Sequence, residues 1–102
     1  MSSLSEIYIN YDRAIAQAKQ LEDIAKRLQN AGDKTMEGIL SDVNKAWKSD
    51  STPQYIKKGQ KVKTDIGTSA KNLKQIATTI RTIAKRVRDA ELEAWRIANE
   101  RI

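Results

Sequence analysis

From Gly59 to Ile97 apolar or small residues return in alternating steps of three and four, through Val62, Ile66, Ser69, Leu73, Ile76, Ile80, Ile83, Val87, Ala90 and Ala94, and the period never slips. A repeat of this kind is the pattern of a long helix with an apolar stripe along one side, and a sustained heptad favours left-handed, coiled-coil-like pairing. Small Gly59, Ser69, Ala90 and Ala94 are the positions expected to allow close approach at four layers. An earlier stripe runs through Ile7, Tyr11, Ala14, Ala18, Leu21, Ala25, Leu28, Gly32, Thr35, Ile39, Val43 and Ala46, widened by Ile15, Ile24, Met36 and Leu40. Its weak stretch is Asn30 to Thr35, where Asn30, Gly32 and Asp33 are poor helix formers, so a kink, a fraying point or a short break is expected near Gly32.

Between the stripes lies Lys48-Ser49-Asp50-Ser51-Thr52-Pro53. Ser51 or Thr52 can cap the following helix, and Pro53 fits a first helical turn, where no backbone donor is needed. A connection this short makes the two helices antiparallel neighbours. The sequence therefore predicts an all-α protein, a single antiparallel two-helix hairpin over residues 1–102, with helix one at about 8–47, a turn at about 48–52 and helix two at about 53–100. A hairpin buries one face of each helix, so a second hairpin is expected to complete a four-helix bundle, the alternative being a monomer whose own core suffices. The face assigned to this interface comprises Leu21, Leu28, Ile39, Val62, Ile66, Leu73, Ile76, Ile80, Ile83 and Val87.

The residue inventory limits the chemistry. The 102 residues include no Cys and no His, which removes thiol nucleophiles, imidazole bases, disulfides and zinc sites built from those ligands. Pairs such as Asp89 and Glu93 lie beside abundant Arg and need no catalytic explanation, and there is no Gly-rich phosphate loop or Ser nucleophile signature. The expectation is a protein that is not an enzyme, with no cofactor and no metal. Met1 to Asp12 lacks a basic segment followed by an apolar stretch, so no general secretory signal is expected, and no apolar run approaches the roughly 20 residues of a membrane span.

Charge is distributed unevenly. Through Thr52 there are seven Lys or Arg against eight Asp or Glu, a net of −1, and from Pro53 onward twelve against five, a net of +7. Lys57, Lys58, Lys61, Lys63, Lys71, Lys74, Arg81, Lys85, Arg86 and Arg88 face only Asp65 in the same stretch. Such a rod suits an acidic protein partner, an anionic membrane surface or nucleic-acid phosphates. No aromatic residue is interleaved between Lys57 and Arg88 to stack on bases, so the charge reads mainly as a solvated face that steers an acidic partner, with nucleic acid as the alternative ligand.

The turn carries Ala46-Trp47-Lys48-Ser49, followed by Pro53 and by Tyr55. In this the chain resembles the WXG family, small helical hairpins with Trp-x-Gly at the turn and an aromatic residue early in helix two, associated with bacterial type VII secretion. The departure is Ser49 in place of Gly. Trp47 is expected to pack over the incoming helix against Tyr55, closing the hairpin end in preference to docking directly on a partner. The opening Ser5 to Tyr11 alternates apolar and polar residues and is read as an extended arm. That arm resembles the start of WXG-like proteins encoded beside polymorphic toxins with an LXG-type helical domain, where small helical partners escort the toxin. The resemblance implies a partner that is a second copy, a homologous hairpin or the helical domain of such a toxin, recognition by a secretion ATPase, and export by a route independent of a signal peptide from a cytoplasmic pool. It also implies a C-terminal export signal. An aromatic residue followed four positions on by an acid is approximated by Trp95 and Asn99, with Glu100 one position late, and a looser pattern of apolar, acid and two further apolar positions is met by Val87, Glu91, Ala94 and Ala98.

Overall fold

The computed structural model describes residues 3–100 and is all-α, with no strand among the described residues. Helix α1 spans Leu4–Asn30, continues into a π-helical segment at Ala31–Met36 and then into α2 at Glu37–Ala46. Helix α3 runs uninterrupted from Thr52–Glu100. The described residues divide into two units: one combines the chain up to Glu22 with the chain from Gln75 onward, and the other is Asp23–Lys74. In each, a segment from the first half of the chain packs against α3 in antiparallel sense, as Arg81 to Glu22 and Arg88 to Tyr11 show in the first unit and Lys63 to Glu37 and Lys74 to Gln29 in the second.

The first unit begins with a helix where an extended arm is expected. Ser3 starts it: its Oγ accepts the Glu6 N–H at 3.2 Å and its carbonyl accepts the Ile7 N–H at 3.1 Å. Ser3-Leu4-Ser5-Glu6 has the spacing of a capping box, the signal that outweighs the short alternation of Ser5 to Tyr11. Helical geometry from Leu4 onward places Ile7 on the buried side, while Tyr8 and Ile9 remain exposed. Ala18 of α1 and Ala77 and Ala84 of α3 are buried in the same unit. Ala18 belongs to the expected stripe of helix one, whereas the buried α3 positions of this unit are alanines that the heptad reading placed beside its stripe. Ser69, Ala90 and Ala94, which that reading assigned to close layers, are exposed.

In the second unit Ala25, Gly32, Leu40, Thr52 and Ala70 are buried. The π-helical segment explains which residues of helix one reach this core. A π turn takes up roughly one residue more than an α turn, so the buried stripe passes from Gly32 through Met36 to Leu40 instead of through Thr35 to Ile39. Leu40 is 7% exposed and Ile39 is 51% exposed. Two glycines set the spacing to α3. A Cβ at Gly32 would lie 3.3 Å from Ile66 Cγ2, and one at Gly59 would fall inside the Leu40 side chain.

The turn occupies Trp47 to Ser51. The Trp47 backbone is extended, with φ −98° and ψ 118°, which stops α2 while its N–H still bonds to Val43 O at 2.9 Å. Buried Thr52 ties the turn together: its hydroxyl donates to the Trp47 carbonyl at 3.2 Å and accepts the Ser49 N–H at 3.2 Å. Among the described residues none has a positive φ, so nothing in the turn demands glycine at position 49, and Ser49 Oγ adds contacts to the hydroxyls of Ser51 and Thr52.

Candidate protein-binding face

The heptad on α3 divides into two rows. Ile66, Leu73 and Ile80 lie half-buried at the edge of the contact with the first half of the chain, as do Leu21 and Leu28 of α1. Val62, Ile76, Ile83 and Val87 are exposed, Ile76 to 49% and Ile83 to 53%. The expected interface residues thus fall into two sets, one spent inside the chain's own packing and one left in solvent. Ile39 joins the exposed set because of the π-helical segment.

In the first unit the exposed row borders a groove of about 280 Å³. Ile7, Tyr11 and Ala14 form its α1 wall, and Ile80, Ile83 and Val87 its α3 wall, with Arg88 and Glu91 at its margin. The Arg88 guanidinium lies over the Tyr11 ring at 4.4 Å from the centroid, a cation–π contact that keeps this cation on the α1 side of the groove. The exposed lining of this groove is mainly apolar. It can seat the side chains of another helix.

Several cations of α3 are used within the chain. Lys63 Nζ reaches Glu37 Oε2 at 2.9 Å, Lys74 Nζ reaches Gln29 Oε1 at 3.0 Å, and Arg81 reaches Glu22 at 2.6 Å. The hydrogen bonds to Glu37 and Glu22 hold Lys63 and Arg81 above their ordinary pKa values. With Arg88 on Tyr11, these side chains lie on the flank of α3 turned away from the exposed row. The basic rod expected from the sequence is therefore partly a set of cross-helix contacts. Near its end, Arg96 pairs with Glu93 and Glu100 along the same helix, and its hydrogen bond draws the Glu93 carboxyl below the usual carboxylate range.

At the turn, the Trp47 and Tyr55 rings meet edge to face with centroids 5.3 Å apart and planes at 81°. The expected contact is present, and the indole is 49% exposed rather than enclosed. In the C-terminal stretch Val87, Ala94 and Asn99 are exposed, whereas Glu91, Trp95 and Ala98 are half-buried. The Asn99 side-chain amide donates to the Trp95 carbonyl at 2.8 Å, so it is engaged in the helix on which it stands.

Fold and surface together define a small all-helical chain with an apolar row uncovered along α3 and no helix long and apolar enough to cross a membrane among the described residues. Compared with protein-family models, with curated proteins and with solved structures, the chain gives no match.

Proposed function

We propose that this chain is a WXG-like protein of type VII secretion that acts by protein–protein association, as a secreted factor or as the targeting partner of a secreted toxin. The observation that carries the reading is the row of large aliphatic side chains on α3, Ile76, Ile83 and Val87, left in solvent beside an apolar groove in a chain with two long helices. Exposed aliphatic rows of this kind cost solubility and are covered in use by another helix. The Trp47-Lys48-Ser49 turn, with Trp47 against Tyr55, supports placing that association in the WXG family. In this reading a second hairpin, either another copy, a homologue or the helical domain of an LXG-type toxin, completes a four-helix bundle, and a secretion ATPase recognises the C-terminal part of α3.

The test is export from the bacterium that encodes the chain. The protein is expected in the culture supernatant when the type VII secretion ATPase is present and to remain with the cells when that ATPase is deleted. Equal release from both strains would refute the secretion part of the reading.

A further inference from the structure

We infer that the exposed face of α3 in the first unit is covered by a second copy of the same segment, running antiparallel about a two-fold axis midway between Arg88 and Asp89. The inference rests on the reading of this face as a protein-binding surface and names its occupant.

The face consists of two neighbouring heptad rows, Ile80, Val87 and Ala94 in one and Ile83, Ala90 and Ile97 in the other. Val87, Ala94, Ile83, Ala90 and Ile97 are all exposed, and Ile80 lies half-buried at the groove. In an antiparallel pair each residue of one row meets a residue of the other. About the stated axis, Ile80 meets Ile97 of the second copy, Ile83 meets Ala94, and Val87 meets Ala90. The two inner layers set a large side chain against a small one, as close packing of facing helices requires. Parallel pairing would instead stack Ile83 on Ile83 and leave Ala90 on Ala90.

Charge selects the same register. The row bordering the apolar face on its solvent side carries Arg86 and Glu93, both exposed; Glu93 is bonded within the helix by Arg96, so Arg86 of a second copy would share an exposed carboxylate with that cation. In the antiparallel arrangement this row meets itself, which brings Arg86 of each copy to Glu93 of the other, twice by symmetry. The cations that would repel a second copy, Arg81 and Arg88, are held on the opposite flank by Glu22 and Tyr11. Partner and surface are therefore complementary in shape and sign without any second protein.

The experiment is a charge-swap cycle on the full chain, with dissociation constants from sedimentation velocity and mass from light scattering. Wild type is expected to dimerise. Arg86→Glu and Glu93→Arg should each weaken the dimer by roughly tenfold, since each turns two attractions into two repulsions at a partly exposed rim. The double variant Arg86→Glu with Glu93→Arg should return to near the wild-type value. Lys85→Glu, the same charge change on another row, should leave the constant unchanged, and circular dichroism should show equal helix content throughout. A double variant no tighter than either single one, rescue of Arg86→Glu by Asp65→Arg instead, or a wild type that stays monomeric at its highest soluble concentration would overturn the self-pairing. A monomeric wild type whose export still needs the ATPase would remove this inference alone, whereas a charge-paired dimer released without the ATPase would remove the secretion reading alone.

Discussion

Two alanine substitutions in α3 should move stability in opposite directions, although both remove a glycine from the same helix. At Gly67 an added methyl meets nothing within 4 Å, so only the backbone preference changes. Gly67→Ala should therefore stabilise by about 1 kcal/mol, through the lower conformational entropy of the unfolded chain and the better helix propensity of alanine. At Gly59 the same gain is opposed by the Leu40 side chain, since the methyl would overlap it, with Leu40 Cγ 3.2 Å away and Leu40 itself buried. Overpacking of this kind costs roughly 1–3 kcal/mol. The net for Gly59→Ala is then a loss of about 1 kcal/mol. For a chain of this size the two variants should melt roughly 10 °C apart, at about 4–8 °C per kcal/mol. The assay is thermal unfolding monitored by circular dichroism at 222 nm, at one protein concentration so that association contributes equally. Equal stabilisation by both substitutions would show that Leu40 does not sit over Gly59, and would undo the account of how the π-helical segment delivers Leu40 to the core.

Other consequences arise from single features. Deletion of Asp33 should convert the π-helical segment to α-helix and keep Gly32 and Leu40 on one face at heptad spacing, changing stability by no more than about 1 kcal/mol, while deletion of Gln20 in regular α1 rotates the remainder of that helix by about 100° and should unfold the chain in the same urea titration. Thr52→Val keeps the shape of a buried residue and removes its bonds to Trp47 and Ser49, at a cost of roughly 1–3 kcal/mol readable from the same titration. Glu93 is held below the ordinary carboxylate pKa by Arg96, so its contribution to stability is present above the unfolded value and is lost as pH falls through the lower folded one; Glu93→Gln should flatten the acid limb of the melting-temperature profile, and an unchanged limb would show that the pair contributes nothing.

The long second helix was legible because a heptad maintained from Gly59 to Ile97 has few other structural solutions, and the turn because Pro53 and the Ser/Thr cluster interrupt both stripes. What the sequence left open was which side of a wide stripe the chain buries against itself. Alanines at 70, 77 and 84 are weak hydrophobes in any pattern count, yet they let two helices approach closely, and that approach takes the seam and leaves Ile76 and Ile83 outside. The disruption near Gly32 was visible in poor helix formers, but their identity does not say whether the chain frays, kinks or inserts a residue. The π-helical outcome exchanged Ile39 for Leu40 in the core. The helical start at Leu4 was written in the Ser3 to Glu6 spacing, a local capping signal masked in the sequence by a short alternation. Cross-helix cations were invisible because their partners, Glu22, Gln29, Glu37 and Tyr11, lie far away in sequence.

The claim that the exposed row of α3 is a binding face is tested most directly by its reactivity in the cell. The chain has no cysteine, so Ile83→Cys and Lys85→Cys each introduce a single thiol two residues apart on the same helix, both at exposed positions. The measurement is the alkylation rate of each variant in intact producing cells, relative to the same variant purified and diluted. The thiol at position 83 is expected to be strongly protected in cells and the thiol at position 85 is not, whichever helical partner is present. Equal rates at the two positions, in cells as in dilute solution, would contradict the claim.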